Sequence, residues 1–150
     1  MGVSSNDGEG TWNISDEFPD SKIIGDPTPG TLNIFRYSAK TAEKLPFYDR
    51  NPLCYIMSVQ GGIFYGVNLH YHAPSNRMAL LKYIDDGGDP SRLRGYHKYI
   101  KSYMGSPFLQ VNMTEWEKAL SYTNEEFVRD MGSVELSLDA DSVQKRGFYK

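Results

Sequence analysis

Few side chains in this sequence have the chemistry of a nucleophile or a metal ligand. There is one cysteine, Cys54, and there are three histidines, two of which are His70 and His72. Cys54 lies inside the apolar run Leu53–Val59. A thiol there lacks the access and the lowered pKa that a nucleophile needs, so it reads as a core residue. His70 and His72 stand two apart at the end of a strand pattern and would point the same way. With Asp49 as a third ligand they could hold a divalent metal and make a nuclease. The same residues have a structural reading. His70 would make a hydrogen bond at the end of the strands. Tyr48-Asp49-Arg50-Asn51-Pro52 would be a turn in which Asp49 accepts backbone N–H groups. The Asn68 amide would satisfy backbone groups in a bent strand. The sequence has no Gly-x-Gly-x-x-Gly after a strand, no Walker-type loop and no helical Glu-x-x-His. The expectation is a protein that is not an enzyme and carries no metal and no cofactor.

The other chemistry on offer is contact with phosphate and with bases. Arg92, Arg94, Lys98 and Lys101 form the densest basic run, and no acid falls between Pro90 and Met113. Such a run neutralises phosphate or forms a solvated helix face. Arg36, Lys40, Lys44 and Arg50 lie among Tyr37, Tyr48, Tyr55, Tyr65 and Tyr71, which pack as a core or stack on bases beside cations. The candidate nucleic-acid contacts are therefore Arg36, Lys40, Arg50, Arg92, Arg94, Lys98 and Lys101.

These residues must be carried by elements that the spacing predicts. Thr31–Tyr37 alternates as a half-buried strand. Leu53–Val59 and Ile63–Tyr71 form two more strands around the Gln60-Gly61-Gly62 turn, with a bulge or bend expected at Gly66. The prolines of Leu45–Pro52 exclude a central strand there. Strongly bent strands over about 30–72 predict a small SH3-like β-barrel within an α+β fold. Short helices follow. One covers 74–84 with Met78, Leu80, Leu81 and Ile84 as its stripe, and one covers Arg92 to Tyr103. Phe108–Val111 is a short strand. Two helices at about 115–121 and 124–130 follow capping-box spacings.

The formal net charge of −3 conceals a polarity. Residues 1–30 carry a balance of −5 and the remainder a balance of +2. The division is an extended acidic leader at 1–29, one domain at 30–131 and a polar C-terminal tail at 132–150. In the leader, Trp12, Ile14 and Phe18 are candidates for docking on a partner. No apolar stretch approaches the ~20 residues of a membrane span.

Three motifs occur in order: Phe35-Arg36-Tyr37-Ser38-Ala39-Lys40, then Leu45-Pro46-Phe47-Tyr48-Asp49-Arg50-Asn51-Pro52-Leu53, then Gly66-Val67-Asn68-Leu69-His70-Tyr71. The later Glu115-Trp116-Glu117-Lys118-Ala119 and Glu126-Phe127 continue the series. Over about 31–130 it resembles small proteins of tailed bacteriophages known as DNA end protectors, of the T4-like head-completion kind. Asn51 stands where that pattern often has an aromatic, and His72-Ala73-Pro74 replaces its leucine-proline. The resemblance implies a virion protein, present in host cytoplasm during assembly. It would bind or guard double-stranded DNA ends during head completion, beside other virion proteins and with no membrane. The alternative is a structural neck, tail or baseplate adaptor with no DNA contact.

Overall fold

Leu53 to Gln60 and Ile63 to Asn68 meet as an antiparallel hairpin, turned by Gly61 at φ 62°. This hairpin is the centre of the fold. The computed structural model describes residues 14–38, 47–130 and 135–145. In chain order the elements are α1 (Ile14–Glu17), β1 (Lys22–Ile24), β2 (Leu32–Ile34), β3 (Tyr48–Asp49), β4 (Leu53–Gln60) and β5 (Ile63–Asn68). Then come α2 (Pro74–Asp85), β6 (Tyr96–Ile100), β7 (Phe108–Gln110), α3 (Trp116–Ser121), β8 (Phe127–Asp130), β9 (Glu135–Leu138) and α4 (Ala140–Gln144).

The strands form an open sheet, not the expected SH3-like barrel. The six-stranded order is β1-β7-β2-β4-β5-β6, and β3-β8-β9 form a second sheet. β1 and β6 end the large sheet on opposite edges, so the strands of 30–72 do not close on themselves. Instead β2 takes β7 from 108–110 as its second partner. Both faces of the large sheet are buried. On one, Leu32, Ile34, Leu53, Val67 and Leu109 pack with Phe18, Leu80, Leu81 and Leu120 from the helical segments. On the other, Phe35, Cys54, Ile56, Phe64, Tyr99 and Phe108 make an aromatic cluster. Phe35 meets Phe64, Tyr99 and Phe108 edge-on at 5.2–5.6 Å, the geometry that ring quadrupoles favour.

The predicted helix from Arg92 to Tyr103 is instead β6 between two 3-10 turns. Gly95 breaks it at φ 88°, a left-handed conformation that helices exclude. Beyond Gly95, Tyr99 is buried against the aromatic cluster, so the apolar period is that of a strand. The predicted helix at 124–130 is strand β8, because Tyr48 and Asp49 supply it with an edge to pair with. The predicted helix at 115–121 is α3. The α2 helix forms as expected, but its stripe differs. Met78 is 56% exposed, and Arg77 takes the buried position with Leu80 and Leu81.

Residues 14–24 are tied into the sheet through β1 and the core through Phe18, which is fully buried. Past residue 131, β9 pairs with β8 and α4 places Val143 in the core. The bulge expected at Gly66 falls on the opposing strand, between Ile56 and Ser58. Gly66 serves a close approach instead. A Cβ there would lie 2.3 Å from the Cys54 sulfur and 2.7 Å from the Tyr55 carbonyl oxygen. Gly66→Ala should therefore cost about 1–3 kcal/mol by overpacking in urea unfolding. Adding Cys54→Ala should recover only part of it, because the backbone clash remains. Full recovery, or no loss at all, would contradict this packing.

Candidate nucleic-acid interface

The site is built outward from one carboxylate. Asp49 is buried on the edge strand β3 and accepts four hydrogen bonds. Its Oδ1 accepts from the Asn51 amide at 2.9 Å and the Glu126 amide at 3.0 Å. Its Oδ2 accepts from Asn68 Nδ2 at 2.9 Å and lies 2.7 Å from His70 Nδ1. The first bond is the turn expected of Tyr-Asp-x-x-Pro. The Asn68 side-chain oxygen in turn accepts from the Leu53 and His70 amides, which ends β5 and opens a 3-10 turn. Burial opposes ionisation of Asp49 most strongly. The His70 charge and the hydrogen bonds of His70, Asn68 and the Glu126 amide together still hold its carboxyl below the usual carboxylate range.

A buried cation braces the same turn. Arg77, fully buried, donates from Nε to the Leu69 and His72 carbonyls and from a terminal nitrogen to the Leu120 carbonyl. Its other terminal nitrogen meets Glu125 at 3.5 Å. Gln144 of α4 donates to Glu125 and to the His70 carbonyl. Burial lowers the affinity of His72 for a proton, and its Nε2 bonds the Arg94 carbonyl. His70 and His72 are thus engaged in different directions. Among the described residues, no group of three or more His, Cys, Asp or Glu side chains is placed to hold a metal ion. Burial also raises the Cys54 thiol far above its ordinary pKa, as a core residue requires.

Next to the Asp49 turn lies a small cleft. It has a volume of about 170 Å³ and is lined by Arg36, Tyr37, Ser38, Arg50 and Gly105. Its walls are sewn together by main-chain hydrogen bonds. The Tyr37 amide donates to the Arg50 carbonyl at 2.9 Å, and the Arg50 amide to the Glu126 carbonyl at 2.9 Å. The Gly105 amide donates to the Arg36 carbonyl at 2.9 Å, and the Arg36 amide to Ser106 Oγ at 2.9 Å. Fixed walls therefore carry two long cationic side chains. The Arg36 guanidinium has no partner among the described residues. Arg50 pairs with Glu126 at 3.2 Å, both side chains being substantially exposed. Exposed pairs of that kind contribute only ~0–1 kcal/mol.

The other expected contacts lie apart from this cleft. Lys98 is exposed on β6, beside the half-buried Tyr65 in register and the Tyr65–Tyr96 ring pair. Arg92 is exposed in the 3-10 turn before it. Arg94 is half-buried, donates to the Tyr71 and Val143 carbonyls and sits over the Tyr71 ring. Lys101 pairs with Asp26. The tyrosines divide. Tyr37, Tyr48 and Tyr71 are core residues, while Tyr55 and Tyr65 are half-buried. Lys40 and Trp12 lie outside the described residues. Ile14 and Phe18, expected to dock on a partner, are buried in the chain's own core, with Phe18 edge-on to Tyr122. The basic group expected on one helix is thus spread along a turn, a strand and a second turn.

Sequence reading missed Arg77, Glu125 and Gln144 as parts of this region. For Arg77 a signal existed, since its spacing to Leu80 and Leu81 places it on the buried face of α2. Glu125 and Gln144 carry no local signal, because only the tertiary fold brings them to the turn.

The chain thus has an antiparallel α+β fold with a buried ionic turn and, beside it, a small surface cleft lined in part by Arg36 and Arg50. Residues 13–86 match the model of the family described as Phage T4 terminal DNA protecting protein. This is the family that the motif series resembles. The matched span contains Arg36, Asp49, Arg50, Asn68, His70 and Arg77, and it takes in the leader from 13, which the resemblance left aside. Neither the curated proteins nor the solved structures include a match to the chain.

Removing the carboxylate should leave two buried donors, Asn68 Nδ2 and His70 Nδ1, and two part-buried amides without their acceptor. Asp49→Ala is expected to cost about 3–5 kcal/mol in denaturant unfolding. The wild type's Asp49 contribution is fully present above the ordinary pKa of 3.8 and fades as pH falls through the lower folded value. Asp49→Ala should therefore lack this acid-dependent loss below pH 3.8. A cost under about 1 kcal/mol, within the range of ordinary surface changes, would contradict the role given to Asp49.

Proposed function

We propose that the chain is a bacteriophage virion protein that binds and guards the ends of packaged double-stranded DNA during head completion. The observation that carries this reading is the match of residues 13–86 to a family named for protecting terminal DNA. Guarding an end requires occupancy, not a reaction, so the reading needs no catalytic residue, metal or cofactor. Of the expected contacts, Arg92 and Lys98 are exposed and Arg36 and Arg50 half-buried, and these four would neutralise phosphates. Lys40 would add to the Arg36 side. Arg94 and Lys101 are held by partners within the chain and would shape the surface more than they contact DNA. The protein would act in the particle beside other virion proteins. Among the described residues no helix is long and apolar enough to cross a membrane.

One observation favours the adaptor reading. A groove of about 910 Å³ runs past Tyr55, Leu81 and Trp116, and Met78 and Met113 stand exposed on it. Exposed methionines of this kind suit a protein neighbour.

Competition binding separates the two. The full chain should bind short linear duplex, and covalently closed circles should compete poorly for it. Affinity should fall with salt at a log–log slope of about −0.9 per phosphate contact. It should also slow exonuclease digestion from the bound end. Equal competition by closed circles would remove the end preference, and absence of DNA binding at low salt would leave the adaptor reading.

A further inference from the structure

We infer that the sheet face carrying Tyr65, Tyr96 and Lys98 is a stacking site for unpaired bases, the single-stranded overhang of a DNA end. The inference rests on the DNA-end reading above and names the part of an end that this chain would hold. Three observations argue for it. The first is placement. Tyr65 of β5 stands in register with Lys98 of β6, and Tyr96 lies two residues from Lys98 on the same strand. Alternation puts all three side chains on one side of the sheet, beside the half-buried Ile63 and Ile100. The second is the state of the rings. Tyr65 is half-buried and packs with none of the buried clusters. Its one ring contact among the described residues is Tyr96, at 6.1 Å and 21°. That distance exceeds the ~3.5–4.0 Å of carbon–carbon contact, so the two rings are offset and overlap only in part. Ring surface is left for a further flat partner. The third is charge. Lys98 is exposed and has no ion pair among the described residues, Arg92 is exposed in the turn before β6, and no acid falls between Pro90 and Met113.

Aromatic rings beside a cation suit a base and its phosphate, because every base has a π-face and every nucleotide a negative charge. Inside a duplex both faces of a base are covered by its neighbours. The bases free to meet Tyr65 are therefore those that extend beyond the duplex. Asp89 sets a limit to the surface. Burial, then Tyr65 and Asp89, raise the pKa of the Tyr96 phenol, which puts this acid within electrostatic reach of Tyr96. Its carboxylate accepts from the Ser91 amide and hydroxyl. Phosphates would accordingly run past Lys98, on the Tyr65 side of the ring pair.

The test is fluorescence anisotropy of the full chain with a DNA hairpin whose one open end is either blunt or extended by a short single strand. The extended end should bind about tenfold more tightly, as expected for one stacked base. Tyr65→Leu should bring the extended end down to the level of the blunt one. Tyr65→Phe should keep the difference, because the ring remains. Lys98→Gln should weaken the extended end and reduce its salt slope by about one contact. A fluorescent adenine analogue in the overhang should be quenched by the wild type and by Tyr65→Phe but not by Tyr65→Leu, a readout that a ring serving only the sheet would not move. Equal affinity of the wild type for the two ends would overturn the inference and leave the DNA-end reading standing. A preference for the extended end that survives Tyr65→Leu would also overturn it, since the overhang would then lie elsewhere. If neither end binds, the inference and the DNA-end reading both fall.

Discussion

Four donors from three separate stretches of chain converge on the Asp49 carboxylate, and much of the molecule is arranged by that convergence. Asn51 belongs to the turn after β3, Asn68 and His70 to the end of β5, and Glu126 to the approach to β8. A charge this deeply buried is costly unless its hydrogen bonds are satisfied. The two sheets can therefore meet in few ways, because any slip would strand the carboxylate or its donors. Arg77 repeats the arrangement from the cationic side. It caps the carbonyls of the 69–72 turn and ties α2 to the end of α3.

The surface cleft follows from this interior. Arg50 is the residue after Asp49, and its amide and carbonyl are bound to Glu126 and Tyr37. Its side chain consequently leaves the buried turn at a fixed place. Arg36 is brought opposite by the main-chain bonds to Ser106 and Gly105. The interior supplies rigidity and the surface supplies charge.

Much of this was legible in the residues. Alternation and glycines marked β2, β4 and β5, and the proline-started pattern marked α2. Asp49 in a Tyr-Asp-x-x-Pro turn and Asn68 in a bent strand were readable because each acts on neighbours close in sequence. The motif series pointed to the family found over residues 13–86. What could not be read was long-range. The barrel failed because β7, from 108–110, inserts beside β2, and no local pattern announces a non-sequential partner. The helix expected over Arg92–Tyr103 failed because Tyr96, Tyr99 and Ile100 suit a strand as well as a helix, and Gly95 decides between them. That error also gathered Arg92, Arg94, Lys98 and Lys101 onto one face. In the fold they divide between exposed cations and residues already engaged within the chain. The Arg36–Arg50 cleft, which joins residues from two separate motifs, emerges only once the backbone bonds are known.

Hydrogen–deuterium exchange of the full chain, with and without a blunt, 5′-phosphorylated duplex, tests the central claim most directly. The account predicts slowed exchange at 36–38 and 103–106 on binding, while the Arg50 and Asn51 amides, bonded to the Glu126 carbonyl and the Asp49 carboxylate, should already be slow without DNA. Protection confined to the groove around Met78 and Met113, with none at the cleft, would contradict it.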